Sequence, residues 1–442
     1  MNRMPSNIWA GGFFLLFGLL SACFPVRAGQ AAAKEAVKID LSTAIEKALE
    51  SSEDLLISRN SVEKSRADYK KEKSALYPQI TGTGKVTHNF EYPGAAQGTQ
   101  DYFSDVGVSL DQLLWSFGKV RAAINAQDKY MDVARFNEEA MRQAVIYNAK
   151  VSYFSVKLAD HSYDILLKSL HNAEDNKRIL EDRSASGRVS RRDFLKASAD
   201  VAARQPLVND AEKTRHTAYQ EFKVMIGMES SADVLLSDEF EREYQAIDGA
   251  AMLEAMNVNE PALKALSKEV ELREDLVHAK KASFLPEVSS FATWNHKGDD
   301  QDPDPYGPNM DDYGSVGVKV SVPIWTGGFL KGDLQAARIQ KRDSELGLRK
   351  AQEQFGLALD QAIASYHDLI KTLGANNEAV RLAEESFHLT QDFFKTGSAT
   401  LTDLNDAELQ LTQQRLNRER TIYNICVMLA RIEQLTLRKD LL

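Results

Sequence analysis

The sequence predicts a mainly α-helical protein with transmembrane β-strands, built from a duplicated β-hairpin plus long antiparallel coiled-coil helices. Three observations support this fold class. An internal repeat has one constant spacing, and short segments alternate with the period of two of a β-strand. Long stretches also lack glycine and proline, while their apolar residues follow heptad-like steps. The 442 residues are enough for one elongated, duplicated body.

The repeat is found when the chain is compared with itself. The segment 106–115 resembles the segment 316–325, and 316 − 106 = 210. The motif that begins at Gly187 resembles the one that begins at Gly397, and 397 − 187 = 210. One spacing kept across both motifs indicates a duplication rather than coincidence.

The repeat divides the chain into a leader, two copies and a linker. In each copy a helix precedes the hairpin, at 41–75 and 250–283, and a long helix pair follows it. The predicted domains are a signal peptide at 1–28 (1–22 for a lipoprotein), a first repeat at 40–227 with hairpin 78–116 and helix pair 119–227, an equatorial linker at 228–249, and a second repeat at 250–442 with hairpin 285–326 and helix pair 328–437.

The strands are predicted from alternation. Val316, Val318 and Val320 alternate with glycine, lysine and serine, as expected of a strand with one apolar face. Four strands cannot close a transmembrane barrel, which needs about eight. If the strands enter lipid, several chains must therefore share one barrel, and three chains would supply 3 × 4 = 12 strands, an even number. The pattern requires an oligomer without choosing three.

The long helices are predicted from what the chain lacks. No glycine or proline occurs from Lys119 to Ser186, and no proline follows Pro323. A proline inside a helix costs about 3 kcal/mol, so these stretches favour helices. A helix over the first stretch would be about 100 Å long. Gly187 and Gly397 are typical helix ends, and second helices are expected at 190–227 and 400–437.

The N-terminus has the pattern of an export signal, with a short apolar core at residues 11–20. Two processing sites stay open. Residues 20–23 have the form of a lipobox, in which Cys23 would be lipidated, whereas residues 26–28 fit an ordinary signal-peptidase site. No later apolar run approaches the length of a membrane-spanning helix, so none is expected. The exported protein would be periplasmic, secreted or in the outer membrane.

Composition argues against several classes of function. The net charge of −10 argues against nucleic acid as a partner. The eight histidines are scattered, and no phosphate-binding loop or metal-ligand spacing is found. We therefore predict that the protein is not an enzyme, with no catalytic residues, no cofactor and no metal site.

Three motifs resemble the TolC family of outer-membrane efflux proteins, and the likeness covers essentially the whole mature chain. Residues 112–118 (QLLWSFG) and 322–328 (VPIWTGG) resemble the family's strand-to-helix junctions, and residues 394–407 resemble its periplasmic tip. The resemblance implies a homotrimer whose 12-stranded β-barrel lies in outer-membrane lipid and is continued by an α-helical barrel through the periplasm. It also implies a periplasmic adaptor (membrane fusion) protein and an inner-membrane transporter as partners.

The implied function is the passive exit duct of a tripartite efflux pump. Two alternatives stay open: the outer-membrane component of a type I protein secretion system, and a periplasmic coiled-coil scaffold or adaptor. The transported substrate does not follow from the sequence.

Asp403 and Asp406 are the candidate pore-constriction residues. They are three residues apart and share a helix face, so a trimer would place rings of carboxylates around the lumen. By resemblance, they match aspartates that line the periplasmic constriction of the family. The alternative is that both are helix N-terminal acids stabilised by the helix dipole.

The tip of the first repeat is a candidate latch or adaptor contact. Asp193 is the counterpart of Asp403 in the first repeat. In some family members the residue at the position of Asp193 pairs across the tip with an arginine, and a nearby tyrosine joins this contact. Here Ala399 and Phe394 occupy those tip positions, so the same latch is in doubt. A replacement latch to Asp403, or contact with an adaptor, is expected from the charged and turn residues of the tips, namely Arg188, Arg191, Arg192, Asp193, Gly187 and Gly397.

Trp115 and Trp325 are expected to close their strands. Each could be an interfacial belt residue or a core plug where the strands meet the helices. Their position directly before the junction turn favours the second interpretation.

Overall fold

The computed structural model describes residues 37–88, 102–185, 190–237, 244–299 and 311–438. The predicted signal segment with Cys23, and the tip residues Gly187 and Arg188, lie outside the described residues. The elements in chain order are β1 (Val37–Ile39), α1 (Leu41–Ser51), α2 (Glu53–Lys73), β2 (Gln79–His88), β3 (Tyr102–Trp115), α3 (Lys119–Ala185), α4 (Arg191–Met225), β4 (Val234–Leu236), α5 (Gly249–Asn259), α6 (Pro261–Ala282), β5 (Glu287–Asp299), β6 (Asp311–Ser321), α7 (Phe329–Thr396) and α8 (Leu401–Thr436). Of the helices described, none contains an apolar stretch long enough to cross a membrane.

The two repeats have the same succession of elements at the predicted spacing. α3 begins at Lys119 and α7 at Phe329, and 329 − 119 = 210. α4 begins at Arg191 and α8 at Leu401, and 401 − 191 = 210. α3 has 67 residues and α7 has 68, so each is about 100 Å long. The predicted fold of a duplicated hairpin with long antiparallel helices is confirmed.

The four long strands form one sheet in the order β2–β3–β5–β6, with every neighbouring pair antiparallel. The central pair, β3 with β5, joins the two repeats, because Leu110 of β3 lies opposite Ala292 of β5. Among the described strands this leaves β2 and β6 at the edges of the sheet.

The helices continue the order of the strands. Next to the sheet, α3 packs against α2 and α6, and α6 packs against α7. In the half farther from the sheet, α3 packs against α4 and α8, and α8 packs against α7. α3 and α7 therefore run through both halves, while the shorter helices are replaced halfway.

Each helix before a hairpin is interrupted, so the continuous helices predicted at 41–75 and 250–283 are wrong. Ser52 separates α1 from α2 and accepts a hydrogen bond from the Leu55 amide at 3.2 Å, which makes it an N-cap. Glu260 separates α5 from α6 because Pro261 follows it, and proline disfavours helical backbone at the residue before it.

The second hairpin ends earlier than predicted. β6 stops at Ser321, since Pro323 has no backbone amide to donate to a neighbouring strand. Trp325 therefore lies beyond the strand and does not close it. Gly327 and Gly328 both have positive φ, which lets the chain turn sharply into α7.

One proline is tolerated inside a helix, although the absence of proline was a helix signal in this chain. Pro206 lies within α4, where it removes one backbone hydrogen bond. α4 packs along α3 on both sides of it, with Arg204 and Val208 buried, so tertiary packing maintains the helix.

Three buried clusters hold the helices together. Two lie near the middle of the long helices, around Tyr153 and Phe222 and around Tyr366 and Ile425. The third lies at the tip, around Leu404. The first cluster includes β1 and β4, a short parallel pair that sequence reasoning missed, because three-residue strands have too little alternation to detect.

Candidate functional site

One face of the sheet is apolar and exposed. The strand register aligns its residues in rows across all four strands, and their side chains are exposed or half-buried in the single chain. Val316 is 85% exposed and Ile80 is 71% exposed. Two such rows are Ile80, Leu110, Ala292 and Val316, and Gly82, Val108, Trp294 and Gly314.

The opposite face of the same sheet is polar. Thr293 and Ser315 share a hydrogen bond of 2.7 Å between their hydroxyl oxygens. Lys297 Nζ lies 3.7 Å from Asp105 Oδ2. A water-soluble sheet buries its apolar face, whereas a sheet in lipid presents that face outwards. The rows of this polar face include Thr81, Ser109, Thr293 and Ser315, and Lys85, Asp105 and Lys297.

The two junction tryptophans are exposed in the chain. The register pairs Trp115 with Val288, and Val288 with Val320, so Trp115 lies on the apolar face at its helix end. Trp115 is 60% exposed and Trp325 is 88% exposed. Neither fills a core within the chain, and the register favours the interfacial interpretation of Trp115.

The tip of the second repeat is a tight, well-capped turn. Gly397 ends α7 with φ of 83°, and the next amide, that of Ser398, donates to the Phe393 carbonyl at 2.7 Å. Thr400 begins α8 with a capping box: its hydroxyl accepts from the Asp403 amide, while its own amide donates to the Asp403 carboxylate at 2.9 Å. The hydrogen bonds from the Thr400 side chain and backbone lower the pKa of Asp403.

The tip of the first repeat has a similar cap at the repeat spacing. Ser190 accepts from the Asp193 amide at 3.3 Å and donates its hydroxyl to Asp193 Oδ2 at 2.6 Å. Arg192 Nε lies 3.7 Å from Asp193 Oδ1. Asp193 and Asp403 therefore each form hydrogen bonds with the N-cap residue of their own helix. For Asp403 this agrees with the alternative interpretation as a helix N-terminal acid.

Two other predicted tip residues point to solvent. Asp406 and Arg191 are exposed, and within the described chain neither has a hydrogen bond or an ion pair. Arg192 contacts Asp193, and the Asp403 carboxylate is held by Thr400. Neither Arg191 nor Arg192 therefore forms a latch to Asp403 within the described residues, and a contact between chains stays a prediction.

Arg183 near the end of α3 is a tip residue that sequence reasoning missed. Its Nη2 donates to the Lys395 carbonyl at 2.9 Å and its Nη1 to the Phe394 carbonyl at 3.4 Å. The guanidinium carbon lies 5.6 Å from the centroid of the Phe394 ring. Arg183 therefore caps the last carbonyls of α7 and ties the first repeat to the second. A basic residue in the last turn of a helix was its only signal.

A buried ion pair above the tip was also missed. Arg204 of α4 and Glu408 of α8 are almost fully buried, with Nη1 and Oε2 2.8 Å apart. Arg204 also donates from Nη1 to the Ser169 carbonyl of α3 at 3.1 Å and contacts Asp200 at 3.0 Å. Burial raises the pKa of Glu408, against the opposing attraction of Arg204. This network joins three helices from both repeats. Elsewhere among the described side chains, no group of three or more His, Cys, Asp or Glu could hold a metal.

The amphipathic sheet and the duplicated helices agree with a family comparison. The model of the family described as outer membrane efflux protein matches residues 44–228 and 252–436. The chain belongs to the outer membrane efflux protein family. The two matched segments coincide with the two repeats, and the predicted resemblance to the TolC family is confirmed.

Known relatives within this family cover most of the chain. The outer membrane efflux protein BepC of Brucella suis biovar 1 (strain 1330) is 24% identical over 388 residues, which cover 87% of this chain and 82% of BepC. The toluene efflux pump outer membrane protein TtgI of Pseudomonas putida is 23% identical over 389 residues, which cover 84% of this chain and 80% of TtgI.

A solved structure has the same fold. The Campylobacter jejuni CmeC outer membrane channel matches with a TM-score of 0.78 and 16% identity, covering 90% of this chain and 85% of CmeC. Membership of the efflux-protein family places the chain in the outer membrane, with its long helices extending into the periplasm, as predicted. The family consists of channel proteins, which fits the absence of catalytic motifs from the sequence.

Proposed function

We propose that three copies of this chain form the exit duct of a tripartite efflux pump. The observation that carries the proposal is the four-stranded sheet, which has an exposed apolar face, a polar face and two free edges. An open sheet in lipid would leave the backbone groups of β2 and β6 without partners, at a cost of several kcal/mol for each group. Those edges therefore require further strands.

The strand directions allow identical copies to supply them. Each neighbouring pair in the order β2–β3–β5–β6 is antiparallel, so β2 and β6 run in opposite directions. The β6 edge of one copy can then pair with the β2 edge of the next and continue the antiparallel pattern. Three copies give 3 × 4 = 12 strands, an even number, as in the barrels of bacterial outer-membrane proteins. The polar face would line the lumen.

The helices continue the duct into the periplasm. Four helices lie side by side in each half of the chain, in the same order as the strands, so a ring of sheets is continued by a ring of helices. A passive duct needs partners to deliver and drive its cargo. A periplasmic adaptor protein and an inner-membrane transporter fit this role, and TtgI bears the name of an efflux pump component.

Asp403 and Asp406 are proposed to line the constriction at the far end of this duct. Both are exposed at the start of α8, and Asp406 has no partner within the described chain. Asp403 has a second role as part of the cap. The tip residues Asp193, Arg191 and Arg192 are proposed to contact a neighbouring chain or the adaptor. Arg191 is exposed, Asp193 is half-buried, and the ion pair between Arg192 and Asp193 lies at the surface.

Single-channel recording in planar bilayers, combined with cysteine cross-linking, tests the proposal. In a Cys426→Ser background, Thr83→Cys on β2 would be combined in turn with cysteines at Tyr313, Ser315, Gly317 and Lys319 on β6. All five positions lie on the polar face. We expect stable conductance and trimeric cross-linked species at one β6 position. A monomer without conductance would refute the duct, and a cross-linked ring of another size would refute the trimer.

A further inference from the structure

We propose that the junction between helices and sheet binds anionic phospholipid headgroups of the membrane leaflet nearest the helices. This inference rests on the proposed insertion of the sheet into a membrane. We define the junction belt as residues 70–77, 115–121, 280–287 and 324–333, where α2, α3, α6 and α7 meet the strands.

The junction belt is basic in an acidic protein. It contains eight lysines and arginines against three carboxylates, whereas the whole chain has a net charge of −10. Two of the cations have carboxylate partners: Lys119 lies 3.2 Å from Glu287, and Lys280 lies 2.9 Å from Asp333. The other six are exposed and form no ion pair in the described chain. Lys73 lies over the Tyr69 ring, 5.9 Å from its centroid. The remaining five are Lys70, Lys71, Arg121, Lys281 and Lys331.

The cations recur at the repeat spacing. Lys71 and Lys281 are 281 − 71 = 210 residues apart, and Arg121 and Lys331 are 331 − 121 = 210 residues apart. Both repeats therefore place basic side chains at the same level of the molecule.

Helix electrostatics does not account for all of them. Lys71 and Lys281 lie in or next to the last turns of α2 and α6, where the helix dipole favours a cation. Arg121 and Lys331 lie in the first turns of α3 and α7, where the same dipole disfavours a cation. A basic residue at that unfavourable position in both repeats points to an external anion.

Exposed aromatic rings share the junction belt with these charges. Trp115 lies on the apolar face of the sheet, and Trp325 and Phe329 are 88% and 71% exposed. Aromatic rings above basic side chains are typical of the boundary between hydrocarbon and headgroups. The remaining exposed rings of the belt are Tyr77, Phe117 and Phe284.

The apolar face of the sheet next to the junction belt favours a phospholipid over a free phosphate ion as the ligand. A free phosphate ion would use the cations but gain nothing from the rings or from the row of Trp115, Val288 and Val320. A phospholipid uses both, with its phosphate at the cations and its acyl chains along the sheet. Anionic headgroups gain more than zwitterionic ones, because basic residues near the surface attract their net negative charge.

Lipid retention by the intact, detergent-solubilised oligomer tests this proposal. Native mass spectrometry would compare bound phosphatidylglycerol with phosphatidylcholine of the same acyl chains, supplied in equal amounts. The belt variant replaces Lys70, Lys71, Arg121, Lys281 and Lys331 with Gln. The control variant makes the same charge change on exposed, unpaired residues far from the belt, by replacing Lys196, Lys213, Arg349, Lys350 and Arg420 with Gln.

We expect the natural protein and the control variant to retain phosphatidylglycerol over phosphatidylcholine by about tenfold. The belt variant should lose this preference while still conducting in planar bilayers, and added inorganic phosphate should not displace the lipid. Equal preference in the belt and control variants would overturn the inference, as would displacement by phosphate. A natural protein that neither inserts nor conducts would instead refute the duct itself.

Discussion

The sheet end of this chain exposes apolar side chains to solvent, whereas the tip end buries them. At the sheet, Val316 and Ile80 are exposed, while hydroxyl groups and the ion pair of Lys297 with Asp105 lie on the other face. At the tip, Leu404 and its neighbours are buried and most charges lie outside, as in a water-soluble protein. The same duplicated unit thus has one end suited to lipid and one suited to water. The long helices connect these two environments.

The buried ion pair of the tip region should have the largest effect on stability. Arg204→Ala leaves the Glu408 carboxylate buried without its partner, which should cost about 3–5 kcal/mol. Urea unfolding followed by circular dichroism measures the change. Replacing both residues with Met and Leu should recover most of the loss, since no buried charge remains.

The repeat offers a matched control for this prediction. The equivalent positions in the other copy are Gln414 and Ser198, because 204 + 210 = 414 and 408 − 210 = 198. Changing these two to Ala should alter stability by about 0.5 kcal/mol or less. An Arg204→Ala protein as stable as these controls would show that the pair is solvated.

A charge on the apolar face tests the contrast at the sheet. Val316→Lys near the middle of β6 should destabilise the inserted barrel by about 2–4 kcal/mol, since a lysine would face hydrocarbon. The yield of heat-modifiable oligomer in outer-membrane fractions measures the effect. The adjacent Ser315→Lys lies on the polar face and should cost about 1 kcal/mol, chiefly through its lost hydrogen bond to Thr293. Equal losses from the two variants would contradict the assignment of the faces.

A buried carboxylate in the middle of the chain should give stability a pH dependence. Burial raises the pKa of Glu260 to about 7 from an ordinary 4.5. The folded state therefore holds this proton more tightly than the unfolded state, and stability should fall as pH rises from 4.5 to 7. The expected loss is about 2–3 kcal/mol.

Glu260→Gln should flatten this pH dependence and keep the acceptor that caps α6. The exposed Glu254→Gln is the control, and it should leave the slope unchanged. Unfolding midpoints measured between pH 4.5 and 8 provide the comparison. A slope that persists in Glu260→Gln would assign the response to another group.

The smallest expected changes separate the two roles of the tip. Thr400→Ala removes the cap of α8 and should cost about 1 kcal/mol without changing ion selectivity. Asp406→Asn removes a free charge and should lower cation selectivity in single-channel recordings without changing stability. If Asp406→Asn left selectivity unchanged, Asp406 would not line the constriction.

Local patterns in the sequence predicted most of the fold. The alternation of Val316, Val318 and Val320 predicted β6, and the 210-residue spacing predicted the second copy of every long helix. The break before Pro261 was detectable, because proline disfavours helix at the residue before it. The break at Ser52 was not, since serine occurs both inside helices and at their caps.

The candidate site was less predictable because its contacts join distant parts of the chain. Arg183 caps a helix that ends more than 200 residues later, and only the packing of α8 against both α3 and α7 brings them together. Asp403 was correctly placed at a helix start, but its hydrogen bond to the Thr400 amide depends on the backbone turn after Gly397.

The sequence by itself determined the long strands and the long helices, their duplication and the apolar face of β6, because alternation and helix-breaking residues act within a few positions. Only the tertiary structure decided that β3 pairs with β5, that Arg204 meets Glu408, and that the apolar sheet face stays uncovered. These features depend on which surfaces meet after folding. Burial, pairing of edges and pairing of charges are properties of that assembly, and no single segment encodes them.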